Sequence, residues 1–198
     1  MSRIIQSDNP LYPRVKITDN LMKQTGGNIS VDLDGINELL RDDLGLDEDV
    51  TPKYTLYGDG SHSALLGLHV PFSHTALVNV PASNAHQSAS STLVHESVHL
   101  VDSIHHPIRT TGEVGLRVGA HKVALLGAAT VAEFIPGPGL TDWIAGAVTY
   151  YNLRLGLYYR HLDPSENRAR RIQNDDYYKE KYADLIKVGH QAGRLTLM

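Results

Sequence analysis

One stretch of this chain restricts its fold more than any other: Val94-His95-Glu96-Ser97-Val98-His99-Leu100-Val101-Asp102. Residues four apart on an α-helix stand above one another on the same face. As a helix, the stretch therefore sets His95 beside His99, with Glu96 next to both. Val94, Val98 and Val101 recur at helical spacing and give it a stripe to bury. Ser88 or Ser90 can cap its start, and Pro107 marks its end. His95, His99, Asp102 and His106 share a polar face. The spacing thus predicts a helix that is apolar on one side and carries imidazoles and carboxylates on another. The pattern is H-E-x-x-H. Two imidazoles one turn apart can bind one divalent metal ion, and the adjoining carboxylate can take a proton from water beside it. The plain alternative is two surface histidines and a glutamate on an ordinary helix. The valine backing and the extra Asp102 favour the metal site.

The rest of the composition sets bounds on that site. There are 198 residues, 41% of them hydrophobic, enough for one sizeable domain with a core. The net charge is −4 with histidine neutral, and there is no long basic run, so nucleic acid is not an expected partner. The chain has no cysteine, which excludes disulfides and thiolate-bound zinc and leaves His, Asp and Glu as metal ligands. Met1 to Asn20 contains no apolar core of a secretory signal, so a cytoplasmic protein is expected.

Taken in order, residues 1–30 are polar and read as an N-terminal arm with a short strand around Arg14 to Ile17. Residues 31–198 read as a single domain. From Val31 to Leu44, the spacing of Leu33, Ile36, Leu40 and Leu44 predicts an amphipathic helix stopped at Gly45. The acidic residues from Asp42 to Asp49 read as a solvated loop, since their spacing does not suit a calcium loop. Lys53 to Tyr57 reads as a strand. Ala64 to Val70 and His74 to Val80 read as two further neighbouring strands. His62, His69 and His74 are expected on strand surfaces. Pro81 to Gln87 reads as a loop. Glu113 to Ala132 and Trp143 to Leu157 are rich in Gly, Ala, Val and Leu and flank Ile135-Pro136-Gly137-Pro138-Gly139, as in a helical hairpin. Ten apolar residues from Val123 to Ala132 fall short of the roughly 20 needed to span a bilayer, so a buried hairpin is expected rather than a membrane one. Tyr177 to Gly189 reads as an amphipathic helix with Tyr178, Tyr182, Leu185 and Ile186 inward.

Before that tail lies Tyr158-Tyr159-Arg160-His161-Leu162-Asp163-Pro164-Ser165-Glu166-Asn167-Arg168-Ala169. Asp163 suits an N-cap and Pro164 the first helical position. Glu166 then has two open roles. It can close a capping box by reaching back to the cap amide. It can also serve as the third protein ligand that a catalytic zinc requires beside two histidines.

His95-Glu96-x-x-His99-x-x-Asp102 together with Pro164-x-Glu166-x-x-Ala169 resembles the small zincin metallopeptidases of the gluzincin type. Many of these pair an H-E-x-x-H helix with a later helix carrying E-x-x-A or a related pattern. Minimal zincins of the anthrax-lethal-factor kind show a similar H-E-x-x-H-x-x-D. The likeness spans about residues 64 to 175, with gaps. It implies an α+β, zincin-like fold, with a small, mostly antiparallel sheet on the H-E-x-x-H helix and a helical C-terminal half. It implies that His95, His99 and Glu166 bind Zn2+ and that Glu96 is the general base of peptide-bond hydrolysis. A tyrosine shortly before the third ligand often faces the reaction centre in the lethal-factor type, which points to Tyr159, then to Tyr158. The strand before the helix, His74 to Val80, would be the edge strand that pairs with an extended peptide or protein substrate.

Other third ligands stay open. His105 has the metzincin spacing, but that family needs a glycine where this chain has Asp102. Glu113 and Glu133 are further choices. Asp102 reads as a hydrogen-bond partner that orients a ligand histidine, or as a surface carboxylate. A second class of function also stays open. A zincin-like fold could serve as a non-catalytic binding or structural protein, oligomerising or docking through its Gly/Ala-rich hairpin.

Overall fold

The computed structural model describes residues 2–59, 65–70, 73–110, 112 and 164–189. Its centre is a five-stranded sheet in the order β1-β2-β4-β6-β5. The strands are β1 (Arg3–Ile5), β2 (Arg14–Ile17), β4 (Lys53–Tyr57), β5 (Gly67–Val70) and β6 (Thr75–Asn79). β3 (Ile29–Val31) pairs separately with β7 (Ile186–Val188). The helices are α1 (Asp19–Gln24), α2 (Leu33–Glu38), α3 (Val80–His86), α4 (Ala89–His105), α5 (Pro164–Asn174) and α6 (Asp176–Lys181). The architecture is α+β, with α4 packed across β5 and β6.

The sheet is mixed, not mostly antiparallel. β2 runs parallel to β4 and β4 parallel to β6, while β1 and β5 are antiparallel to their neighbours. Parallel pairing needs a long return connection. Residues 18–52, with α1, β3 and α2, provide one; residues 58–74, with β5, provide the other. β6 therefore lies inside the sheet, and β5 takes the edge that the sequence assigned to His74–Val80.

Alternation along the strands decides which face is covered. Val15 and Ile17 on β2, Tyr54 and Leu56 on β4, and Ala76 and Val78 on β6 are all buried. Their partners in register form two rows, Val15–Tyr54–Ala76–His69 and Ile17–Leu56–Val78–Gly67. Gly67 and His69 thus lie on the covered face, the one that packs on α4.

Several local readings change in the fold. The first 30 residues carry both β1 and β2, so they add two strands to the sheet. The helix predicted from Val31 begins only after Asp32, whose carboxylate accepts from the Gly35 N–H at 2.9 Å. It widens into a π turn at Leu39–Asp43 and stops at Gly45, where φ is +75°. Pro81 enters a helix instead of a loop, because α3 starts at Val80. The tail is helical only to Lys181. Ile186–Val188 forms a strand because Ile29–Val31 offers it a partner, a pairing that local periodicity does not encode.

Chain contacts divide the protein into two compact units, Met1–His105 with Ala169–Met198, and His106–Arg168. The described part of the second includes a helical turn at 107–110, where the Thr110 N–H donates to the His106 carbonyl at 2.9 Å. The dividing line falls inside the continuous helix α5, one helical turn after Glu166. The expected hairpin between Glu113 and Leu157 lies outside the described residues. No helix among the described residues is long and apolar enough to cross a membrane.

Candidate metal centre

The centre is built on α4, so the way this helix is fixed comes first. Ser88 caps it, its hydroxyl oxygen accepting from the Ser91 N–H at 3.0 Å. Ser90 instead ties the helix to β7: its Oγ accepts from the Ile186 N–H at 3.0 Å and donates to the Ile186 carbonyl at 3.4 Å. Val94, Val98 and Val101 are buried, as their spacing predicts. Ser97 faces the sheet. Its proton goes to the Leu93 carbonyl at 2.8 Å, so the Tyr54 hydroxyl donates to Ser97 Oγ at 2.7 Å. Ser103 likewise donates to the Leu100 carbonyl at 2.8 Å and receives the His69 Nε2–H at 3.0 Å. His69 is therefore a buried anchor of the β5 edge, not a strand-surface histidine.

These ties set the rotation of α4 about its axis. Leu93, Ser97 and Leu100 face the sheet, and His95 and His99 come to a half-exposed side. Glu96 falls on the border between the two. Its side chain is only 7% exposed and lies directly over the backbone of Gly67 on β5. A methyl group at position 67 would stand 2.7 Å from Glu96 Oε1. The glycine is thus what gives the carboxylate its place. The carboxylate also acts on a tyrosine at the end of β4. Tyr57 is pushed above its ordinary pKa by burial first, then by the negative charges of Asp59 and Glu96.

The His95 and His99 rings meet edge to face, with centroids 4.9 Å apart and Nε2 atoms 3.2 Å apart. Two nitrogens bound to one tetrahedral zinc at about 2.0–2.1 Å would stand about 3.3 Å apart. The observed spacing fits that geometry. Glu166, in the first turn of α5, adds a carboxylate, and the candidate ligand atoms of His95, His99 and Glu166 all lie within 4.8 Å of one another. These three residues could hold a metal ion, and a His/His/carboxylate set suits zinc. Downstream on the same helix, Ala169 is fully buried in the core.

The other sequence candidates separate. His105 Nε2 lies 3.7 Å from Asp47 Oδ2, outside the triad. Asp102 is buried, so it is not a surface carboxylate. Tyr158, Tyr159, Glu113 and Glu133 lie outside the described residues. Sequence reasoning missed Gln173, whose Oε1 lies 3.0 Å from His95 Nδ1. It stands seven residues after Glu166, two helical turns along the same face, so extending that face would have found it. Beside Gln173 a cleft of about 360 Å³ opens between α4, α5 and α6, with Ser91, Val94, Tyr178 and Tyr182 among its walls.

No family model, curated protein or solved structure matches this chain.

Proposed function

We propose that this protein is a zinc-dependent peptidase of the zincin type. The single observation behind this reading is the convergence of His95, His99 and Glu166, with ligand atoms within 4.8 Å of one another. The neighbouring carboxylate, Glu96, supports it. His95, His99 and Glu166 would hold the ion and leave it open to water or substrate. When bound, zinc supplies Lewis acidity, polarising a carbonyl and making water more acidic.

The chain's own residues would do the rest. Glu96 is the general base: a carboxylate oxygen takes a proton from the attacking water and returns it to the departing amine. Its place against Gly67 keeps it buried, away from bulk solvent. β5 is last in the strand order and lies against α4, so an extended peptide could join the sheet there by main-chain hydrogen bonds. Tyr159 is the candidate for steadying the oxyanion.

The test is Glu96→Gln, which keeps the shape and removes the base. The variant should bind zinc as the wild type does and lose about 10²–10⁴-fold in hydrolysis. A mixed peptide library read by mass spectrometry gives the rate without presuming a specificity. Wild-type turnover in the variant, or a zinc-loaded wild type that cleaves nothing in the library, would contradict the proposal.

A further inference from the structure

We infer that Gln173 is a positioning residue of this centre: its side-chain carbonyl holds His95 in the Nδ1–H tautomer, in which Nε2 carries the lone pair that a metal ion requires. The metal enters through the function proposed above, but the tautomer rests on the hydrogen bond alone. Gln173 Oε1 lies 3.0 Å from His95 Nδ1. A carbonyl oxygen can only accept, so the proton of that bond sits on Nδ1. A neutral imidazole carries one such proton, and Nε2 then presents a lone pair. That lone pair faces His99 Nε2, 3.2 Å away. In water a free histidine favours the opposite tautomer, with its proton on Nε2. Removing Gln173 removes the hydrogen bond that favours the less common Nδ1–H form of His95.

The placement follows from one helix. Glu166 and Gln173 are separated by seven residues on α5. That is close to two turns, so both lie on one face of α5. The same rod thus delivers the candidate third ligand and the amide that prepares the first. Metal-bound histidines commonly have such a partner on the other ring nitrogen, and losing it typically costs about 10–100-fold in metal affinity.

The experiment compares wild type, Gln173→Leu and Gln173→Glu. Leucine removes the acceptor, whereas glutamate keeps a carboxylate oxygen at the same reach. The first readout is the ¹⁵N spectrum of the His95 ring in metal-free protein, at a pH where the imidazole is neutral. The second is zinc affinity by competition with a chromogenic chelator. Wild type and Gln173→Glu should show Nδ1–H and bind zinc within a few-fold of each other. Gln173→Leu should move the proton to Nε2 and weaken zinc by about 10–100-fold. Should the leucine variant unfold, Gln173→Asn, one carbon too short to reach, repeats the test. An unchanged tautomer or an unchanged affinity in the acceptor-less variant overturns the inference. If His95→Ala abolishes zinc binding and Gln173→Leu does not, the metal centre stands and the role of Gln173 falls. If wild type binds no zinc, the metal centre falls and the nitrogen spectrum still decides the tautomer.

Discussion

Glu96 is a buried carboxylate whose position depends on a missing side chain across from it. A Cβ on Gly67 would stand 2.7 Å from Glu96 Oε1 and 2.8 Å from both Glu96 Cγ and Thr92 Cγ2. Either the carboxylate or the strand must yield. Gly67→Ala should therefore cost about 1–3 kcal/mol in chemical denaturation. Under the proposed peptidase chemistry it should also lower peptide hydrolysis by at least about tenfold while zinc affinity holds, because the proposed base moves and the proposed ligands do not. Unchanged stability and turnover would show that Glu96 is not confined by β5. A second residue-scale consequence concerns Tyr54. Burial drives its hydroxyl well above the ordinary pKa of 10.0. Above pH 10 the unfolded chain releases this proton and the folded chain keeps it, so stability that is complete below that pH declines as pH rises. Tyr54→Phe removes the titration from both states. It should cost about 1 kcal/mol at neutral pH through the lost hydrogen bond and make the alkaline decline shallower. Urea melts at neutral pH and above pH 10 read both effects, and an unchanged alkaline slope would assign the decline elsewhere. Tyr182, also raised by burial and by its bond to Asp43, leaves a residual slope.

At the scale of elements, α4 was the most legible part of the chain. Its cap, its valine stripe and the pairing of His95 with His99 are local matters of spacing. β2 and β4 were legible for the same reason, since alternation marks Val15 and Ile17 or Tyr54 and Leu56 without reference to the rest. What failed depended on distant partners. Ile186 was read as an inward helical residue, but the strand it joins is fixed by Ile29–Val31 and by Ser90 on α4. His69 carries no local sign of burial, and only the sheet register brings it under Ser103. The Ser90 tie lends itself to a direct check. Ser90→Ala leaves the buried Ile186 N–H without this acceptor, which should cost about 1–3 kcal/mol of unfolding free energy. A loss within the roughly 0.5 kcal/mol typical of neutral surface changes would mean that β7 holds its place without α4.

For the molecule as a whole, the proposed chemistry joins pieces remote in sequence. A mixed sheet positions Gly67 against Glu96, α4 aligns two imidazoles, and α5 brings a carboxylate and an amide to one of its faces. The histidine pair could be read from its spacing. Glu166 was named as the ligand only through the resemblance, because E-x-x-A is as good a helix start as a ligand motif; in the structure its carboxylate joins a cluster that could hold a metal ion. The direction of the sheet was misjudged because strand order depends on how long connections return, which alternation does not record. Zinc bound to the folded chain alone should stabilise it, by about 2.7 kcal/mol at a hundredfold excess over Kd. Zinc stoichiometry and affinity, by calorimetry and elemental analysis, for wild type, His99→Ala and Glu166→Ala test the proposed centre itself. Wild type should take up one zinc per chain, His99→Ala should lose it, and Glu166→Ala should bind it far more weakly. A wild type without zinc, or a Glu166→Ala protein that binds it as tightly as wild type, would contradict the proposed centre.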